Sequence, residues 1–591
     1  MYLKNKSGVD YIVIDVETDS LKPTKIWCAV AKVLSNNKVV KLVGHSEIKA
    51  FIEENPSAIW IGHNIICFDL PCINSLLGCG IRVDNVIDTL VLSWLYNPRL
   101  PGGHSLESYG ERFKEPKAGL GVSFDGFSPL LLYRCISDVN LTARLFNTLR
   151  LKMLAVGFSE KSCWLEHQQA EIIRKQQENG WFFDVQNATC LQAGLRQRER
   201  GLGDDIRRTI PPKLKKFGTY KYREKEDGTP YASYLRHLEN YPQIDRRGSE
   251  YDVLDFVEFN IGSPSQRVDR LLDLGWKPSK FTPKGNPQAD EDSLVEFAKL
   301  GNPEAQLIAE WLVVNSRGNT LDNWLDKVEL DHRIHGRVFP CGAGTRRATH
   351  SAPNTANVPS SSSKYGKECR ALWTAPNASR RIVGYDAKSA QMRGFGHYLN
   401  NPEAANLYIF GDPHQVNADA IGYTRDNAKK SFYTFILGGG AERLGLDCQR
   451  DKAFGSHIKR ILFKVTPGLR ELVKEGEAEW YNNKGWIECI DGGWVRCPAP
   501  HMVLAYKVQP AEACMMKQAA YFIDKRAEAK GLDHLKVGDI HDEGQHETSL
   551  GDAVAFGEIA VKAIQDAGEE LNFRVPMDGS YKTGLSLAET H

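Results

Sequence analysis

Apolar and polar positions fall into blocks along the chain, and the blocks change character several times. YIVIDVE, residues 11–17, is a continuous apolar run rich in β-branched residues, and it predicts a buried strand. WCAVAKVL and KVVKLV read as the strands that follow. Around LVLSWLY, and again from Asp138 to Leu151, apolar residues recur at helical spacing. A compact α/β domain ending near residue 155 is expected. The pattern is then helix-rich from Glu160 to Asn323 and turns to strand and turn from Ile334. It is helical again between about 401 and 485 and mixed to the end. No internal repeat interrupts it, and Ser360–Ser363 is only a short polar loop.

Composition narrows the class. The 591 residues are 42% apolar and 25% charged, an ordinary globular balance. At about 150 residues per domain this length suggests roughly three to five domains. No apolar run approaches the ~20 residues of a membrane helix, so no membrane partner is expected. Acids close behind the first apolar run argue against a signal peptide. Thirteen scattered cysteines without a CxxC pair point to free thiols and a cytoplasmic location. Seventy-five basic residues meet 74 acidic ones, so any polyanionic partner must be recognised locally. One local candidate is IRRTIPPKLKKFGTYKYREK, from about Arg207 to Lys225. Its Lys and Arg with interleaved Tyr fit either a solvated loop or a phosphate backbone.

Candidate chemistry changes the picture more. Asp15 and Glu17, two apart in a strand, share one face near its end. Adjacent carboxylates repel unless a cation lies between them, and hard divalent cations such as Mg²⁺ take oxygen ligands of this kind. GHNIICFDLP, residues 62–71, adds Asp69, with His63 and Asn64 able to hydrogen-bond. YRCISDVNLTARLF, residues 133–146, puts Asp138 on an otherwise apolar helix face, where an acid is costly unless paired or metal-bound. As an ordered set these residues resemble the DEDD 3′–5′ exonucleases, which remove nucleotides from a DNA 3′ end with two metals. The resemblance implies Asp15, Glu17, Asp69 and Asp138 as metal ligands and catalytic residues. It also expects Tyr four residues before the last Asp, or, in a sister branch, His five before. Here those positions hold Arg134 and Tyr133. At 100° per residue Arg134 lies about 40° from the Asp138 direction and Tyr133 about 140° away, which leaves the helper residue open.

Three further segments follow in order. RIVGYDAKSAQMRGFGHYL, residues 381–399, runs from a strand through Asp386 into a helix. In DPHQVNADAIGYTRDNAKKSFYTFILGGG, residues 412–440, Arg425, Lys429 and Tyr433 share a helix face, with Ala428, Phe432 and Phe435 on an apolar flank. Two cations one turn apart can grip a triphosphate, and the ring beyond them can stack under a base and sugar. The glycines at 438–440 stop that helix. DIHDEGQHE, residues 539–547, reads as a turn, His541-Asp542-Glu543, between two strands. Together the three resemble motifs A, B and C of family A (Pol I-like) DNA polymerases, most closely the replicative enzymes of T-seven-type short-tailed bacteriophages. Residues 257–287 resemble the phage enzymes' thumb and 342–370 their template–primer segment, so the likeness covers nearly the whole chain.

That resemblance implies an α/β and α+β multidomain fold: an RNase H-like exonuclease domain followed by a right-hand polymerase. The expected boundaries are exonuclease 1–155, linker helices and thumb 156–330, palm 331–411, fingers 412–485 and palm again 486–591. It implies a template-directed DNA polymerase with proofreading, acting in phage genome replication in the bacterial host cytoplasm. Asp386, Asp542 and the Ala387 carbonyl would hold two Mg²⁺ ions, with Mn²⁺ able to substitute, and Glu543 would support that site. Arg425, Lys429 and His414 would bind the dNTP, Tyr433 would lie against its sugar, and Gln391 would gate it. Tyr at 433 implies ready use of dideoxynucleotides. Arg347, Asn357, Gln509 and His541 would touch primer–template DNA, and Arg393 would brace the site. Candidate partners include phage helicase-primase, single-strand binding protein and host thioredoxin, whose binding insertion, roughly 217–256, looks short here.

Three positions depart from the family pattern. Gln391 stands where Glu is usual; it keeps the bulk of the gate and loses the charge, so looser sugar discrimination is expected. Leu437 replaces a second aromatic, and Gly544 a β-branched residue. Two other readings are an exonuclease whose polymerase half only binds DNA, and a single-subunit RNA polymerase. Intact acids at 386 and 542 weigh against the first, and bulky Gln391 with the exonuclease motifs against the second.

Overall fold

A computed structural model describes residues 1–591 apart from 5, 117–120, 279, 280, 283, 290–293, 295, 296 and 449. It divides into two compact units, one comprising 1–184, 327–361 and 366–591, the other 185–326 with 362–365.

The first unit opens with a five-stranded mixed sheet made of β1 (Tyr11–Thr18), β2 (Ile26–Val33), β3 (Lys38–Val43), β4 (Ile59–Gly62) and β5 (Val86–Asp88). Their order is β3-β2-β1-β4-β5, with β1 antiparallel to β2 and parallel to β4. The three predicted strands are the first three. Alternation splits β1 between two cores: Tyr11 and Val13 face the Pro129–Val156 helix, whereas Ile12, Ile14 and Val16 fill the opposite side. Ser128 caps that helix, accepting from the Leu131 N–H, and Gly157 ends it in the left-handed region.

The Glu160–Asn179 helix, within the 156–330 stretch expected to hold linker helices and thumb, belongs to this first unit. It is buried on several sides, and four consecutive polar residues, Glu166 to Gln169, are all buried. Each has a partner on a different element. The His167 ring bonds the Cys163 carbonyl through Nδ1, and its Nε2 accepts from the Asp88 N–H at 2.8 Å. Burial lowers the His167 pKa to about 4, so the ring stays neutral in this arrangement. Gln168 donates to Asp84 and Gln169 to Asp539. Glu166 accepts from Arg346 at 2.6 Å and from Lys517 at 2.7 Å, while Arg346 also grips both oxygens of Asp491 at 2.7 Å. All four of these side chains are at most 5% exposed.

The unit's second sheet has four antiparallel strands in the order His534–Ile540, Glu543–Ser549, Arg380–Ala387, Gly579–Gly584. The Val503–Ala529 and Ala553–Glu570 helices cover it, with Met515, Ala519, Phe556 and Ile564 in the shared core. Helices between 390 and 482 form a separate apolar cluster around Phe395, Phe432 and Leu462.

In the second unit the Val185–Thr209 and Pro303–Leu325 helices pack together. The region between them, within the stretch read as helix-rich, also contains strands. Lys213–Lys221, Glu250–Val257 and Gln243–Arg247 form a three-stranded antiparallel sheet, with the Ala232–Asn240 helix against it. Cross-strand packing of Tyr220 on Tyr251 and burial of Val253 outweigh the charges on these strands. The basic run is therefore a helix end and a strand, not a loop. Several of its charges are paired, Arg207 with Asp204, Arg208 with Asp205, Lys213 with Asp273 and Lys216 with Asp252. Of the thumb-like segment 257–287, positions 279, 280 and 283 lie outside the described residues.

All thirteen cysteines are free, and among the described residues no helix is long and apolar enough to cross a membrane. The buried ionic cluster makes a stability prediction. Glu166→Gln leaves Arg346 and Lys517 short of a buried carboxylate, and it should destabilise the first unit by about 3–5 kcal/mol, read as a lower urea midpoint.

Candidate active sites

Asp15 and Glu17 extend the Tyr11–Val13 face of β1 towards Asp138 on the Pro129–Val156 helix. Carboxylate oxygens of Asp15, Glu17 and Asp138 lie within 4.8 Å of one another, with Glu17 and Asp138 buried. Three carboxylates this close are a hard-cation donor set. Asp69 stands one step behind. It starts the Asp69–Leu77 helix, and its carboxylate accepts from the Val16 N–H, between the two β1 acids, at 3.0 Å. Burial pushes its carboxyl up to about 7, against that hydrogen bond. Asp88 went unnoticed in the sequence. It is buried and accepts from the N–H groups of Asn64, Ile66 and Leu90, which shapes the loop leading to Asp69.

The two helper positions separate as helical geometry requires. Tyr133 is 59% exposed, whereas Arg134 turns to the acids, its Nε 3.2 Å from Glu17 and 4.0 Å from Asp138. A guanidinium thus stands among the acids where the family pattern has an aromatic.

The second site forms where two strands of the four-stranded sheet end. Asp386 pairs in register with Glu543, and the Ala387 N–H donates to the Asp542 carbonyl at 3.0 Å. His541, in the left-handed region at φ 60°, makes the tight turn that brings Asp542 back. The carboxyl of Asp386 reaches solvent, yet the surrounding cleft, with Asp542 and Glu543, pushes its pKa up to about 7. Asp542 is raised too, chiefly by burial. Buried Glu543 accepts from Gln545 and contacts the His591 ring. Gly544 has a local reason: a Cβ there would stand 2.2 Å from the Tyr385 hydroxyl. The ring of Tyr385, buried in the core under the four-stranded sheet, fills the space a β-branched side chain would need. Arg393 donates to the carbonyls of Lys388 and Pro576, tying down the segment after Asp386.

The Arg425–Ile436 helix carries its basic face as expected. Arg425 and Lys429 are exposed, and Arg425 pairs with Asp412 at 2.8 Å. The ring of His414 lies 5.9 Å from that of Tyr433, and its pKa is lowered by burial and then by Lys429 and Arg425. Burial, followed by the charges of Asp542 and Glu512, raises the Tyr433 hydroxyl, so this helix face is close to the acids. Leu437 is 39% exposed at the helix end, and Asn357 is exposed in the Thr355–Asn357 turn. Gln509 is half-buried on the Val503–Ala529 helix. Arg347 does not stand free as a DNA contact: it donates to both oxygens of Glu512 at 2.7 Å. Glu512 was missed in the sequence. Its signal was the one that marked Asp138, a lone acid within an otherwise apolar helical run, AEACMM.

The raised Asp69 carboxyl gives a pH dependence. Its folded pKa of about 7 exceeds the unfolded value of about 3.9. The folded state then holds the proton more tightly, and wild-type stability falls as pH rises from about 4 through 7. Asp69→Asn keeps an acceptor for Val16 and has no such charge. In EDTA it should melt above wild type at pH 8, with the gap closing towards pH 4.

Comparison with known proteins gives the family of this chain. The model of DNA polymerase family A matches residues 239–589. The DNA-directed DNA polymerases of Enterobacteria phage T3 and Escherichia phage T7 are each 28% identical, over 98% of this chain and all of theirs. The T3 alignment spans 709 positions, so that relative has segments without a counterpart here. A solved structure, the polymerase domain of Pol1 from M. smegmatis in complex with DNA primer-template and dNTP, shares the fold. Its TM-score is 0.75 at 16% identity, over 98% of this chain and 96% of that one. With the family model spanning more than half of its length, this chain belongs to DNA polymerase family A.

Proposed function

We propose that this polymerase copies a DNA template from a primer 3′ end at Asp386 and Asp542, and proofreads at Asp15, Glu17, Asp69 and Asp138. The observation that carries the reading is the pairing of Asp386 with Glu543 while the Ala387 N–H holds the Asp542 backbone. Two acids from distant parts of the sequence are thereby fixed at one strand end.

These donor sets suit hard divalent cations: burial and then the charges of Asp542 and Glu543 raise Asp386, and a cation would offset both. Asp386, Asp542 and the Ala387 carbonyl would hold Mg²⁺ in the polymerase site, and Asp15, Glu17 and Asp138 in the exonuclease site, with Asp69 behind them. When bound, Mg²⁺ supplies charge for the phosphoryl oxygens and acidifies the attacking hydroxyl or water.

The chain's own residues bind and orient. Lys429 and Arg425 attract the triphosphate, with Arg425 exchanging Asp412 for phosphate oxygens, and His414 donates from the adjacent helix. Tyr433 forms the floor under the sugar, next to Gln391. Arg347, Gln509 and His541 line the primer–template side, and Arg393 stiffens the turn after Asp386. In the exonuclease site Arg134 is a resident counter-ion to Glu17 and Asp138 and holds their charges until DNA and metal arrive. Thioredoxin is not required by this reading: residues 217–256 fall largely within the compact sheet and helix of the second unit.

The reading is tested on a primed template with Mg²⁺. With dNTPs the primer should lengthen, and without them it should shorten. Asp542→Ala should cut extension by about three orders of magnitude, the scale of losing a principal electrostatic group, and leave degradation intact. Asp15→Ala should do the reverse. If both activities fell together in either variant, the two-site assignment would be wrong. Arg134→Ala removes a cation that competes for the acids. It should lower the Mn²⁺ concentration for half-saturation several-fold, measured by direct Mn²⁺ binding to the Asp386→Ala background.

A further inference from the structure

Two open cavities in the first unit meet over one glycine. The first, of about 230 Å³, lies between the end of the Thr89–Tyr96 helix, which supplies Trp94 and Tyr96, and the Trp494–Arg496 strand. The second, of about 390 Å³, reaches Leu437 at the end of the Arg425–Ile436 helix and Gln509 on the Val503–Ala529 helix. Arg99, Gly344 and Tyr506 line both. A Cβ on Gly344 would stand 3.1 Å from the Tyr506 hydroxyl and 3.6 Å from the Arg99 Nε. Gly344 is not in the left-handed region, so room, rather than backbone conformation, is what glycine supplies there. A side chain would fill the throat, and its absence joins the two cavities into one groove.

The groove is lined by cations and apolar walls. Among the described residues no Asp or Glu lines either cavity, in a chain with 74 of them. Arg346, at the floor, is neutralised by Glu166 and Asp491. Arg99 and Arg496 are exposed, and among the described residues neither has a carboxylate partner. By contrast, Arg207, Arg208 and Arg425 each hold an acid. Unpaired guanidiniums beside aromatic walls suit a flexible polyanion that carries flat apolar rings, which is single-stranded nucleic acid. Cavities of this volume admit an unpaired nucleotide and exclude a duplex. The walls are fixed in advance: Tyr506 is buried with Ile487 and Val495, and His104 stacks on Trp94 at 3.9 Å. A strand entering such a groove orders few protein side chains.

Continuity selects the strand. Gln509 is expected at the primer–template, and template-directed synthesis needs the template unpaired ahead of the primer end. From Gln509 and Leu437 the groove leads past Arg99 to Trp94, Tyr96 and Arg496. We infer that it receives the single-stranded template ahead of the primer end: Arg99 and Arg496 hold its phosphates, Trp94 and Tyr96 wall a base, and Gly344 keeps the throat open. The inference deepens the polymerase reading above and rests on it.

The test is binding of full-length protein to primer–templates that share one duplex but carry a 5′ template overhang of one nucleotide or of about six, within the span of known single-strand sites. EDTA prevents primer degradation. At low salt wild type should bind the long overhang about tenfold more tightly, the scale of two phosphate contacts. R99Q and R496Q should each remove several-fold of that gain and reduce the salt slope of log Kd by about 0.7, with the one-nucleotide substrate bound as before. G344V, which plugs the throat, should abolish most of the gain. Equal binding of both overhangs by wild type would overturn the inference. So would variants that weaken both substrates alike, as a structural role or a duplex contact would, or a gain that persists when a complementary strand covers the overhang. If G344V does not fold, R99Q and R496Q, at exposed positions, decide alone. Failure of wild type to extend either substrate in Mg²⁺ with dNTPs would instead refute the polymerase reading.

Discussion

The buried contact of Arg346 with Glu166 and Asp491 is the constraint on which both candidate sites lean. Arg346 takes a left-handed backbone, φ 64°, and its guanidinium is fully desolvated, yet Asp491 and Glu166 hold it charged. A charge in such a place is tolerable only if every partner stays in position. Glu166 belongs to the Glu160–Asn179 helix, Asp491 precedes the Trp494–Arg496 strand, and Lys517, which closes the cluster, lies on the Val503–Ala529 helix. The next residue, Arg347, donates to both oxygens of Glu512 on the same Val503–Ala529 helix.

The Glu160–Asn179 helix carries this order to the Asp15, Glu17 and Asp138 cluster as well. His167 accepts from the Asp88 N–H, and Asp88 in turn receives the N–H groups of the loop that leads to Asp69. Two residues on, Gln169 reaches Asp539, in the strand that ends at the His541 turn. A short polar stretch of one helix is therefore linked by hydrogen bonds to both acid sites. Within each site the geometry works against the apo protein, because like charges are held close in partly buried ground, and carboxyls at 69 and 386 rise towards neutrality. Burial together with neighbouring like charge makes such acids a donor set suited to a hard cation.

The departures from the family pattern become intelligible as local compensations. Gly544 is small because Tyr385 occupies the space above it. Arg134 replaces an aromatic and leans on Glu17 and Asp138. In each case a neighbour far away in sequence accounts for a residue that looked anomalous in isolation.

The amino-acid sequence by itself determined the strand at YIVIDVE, the basic face of the Arg425–Ile436 helix and the order of the acid motifs. These depend on local periodicity and on residue chemistry within one element, so they are legible without a fold. Tertiary structure alone decided what crosses between elements. It assigned the Glu160–Asn179 helix to the first unit, folded the basic run into a sheet with many of its charges paired, and turned Arg134 rather than Tyr133 to the acids. It also buried Glu166 and His167, which resemble surface positions in the sequence. A polar side chain is stable in the interior only when partners from distant segments meet it there, and no local pattern records that meeting.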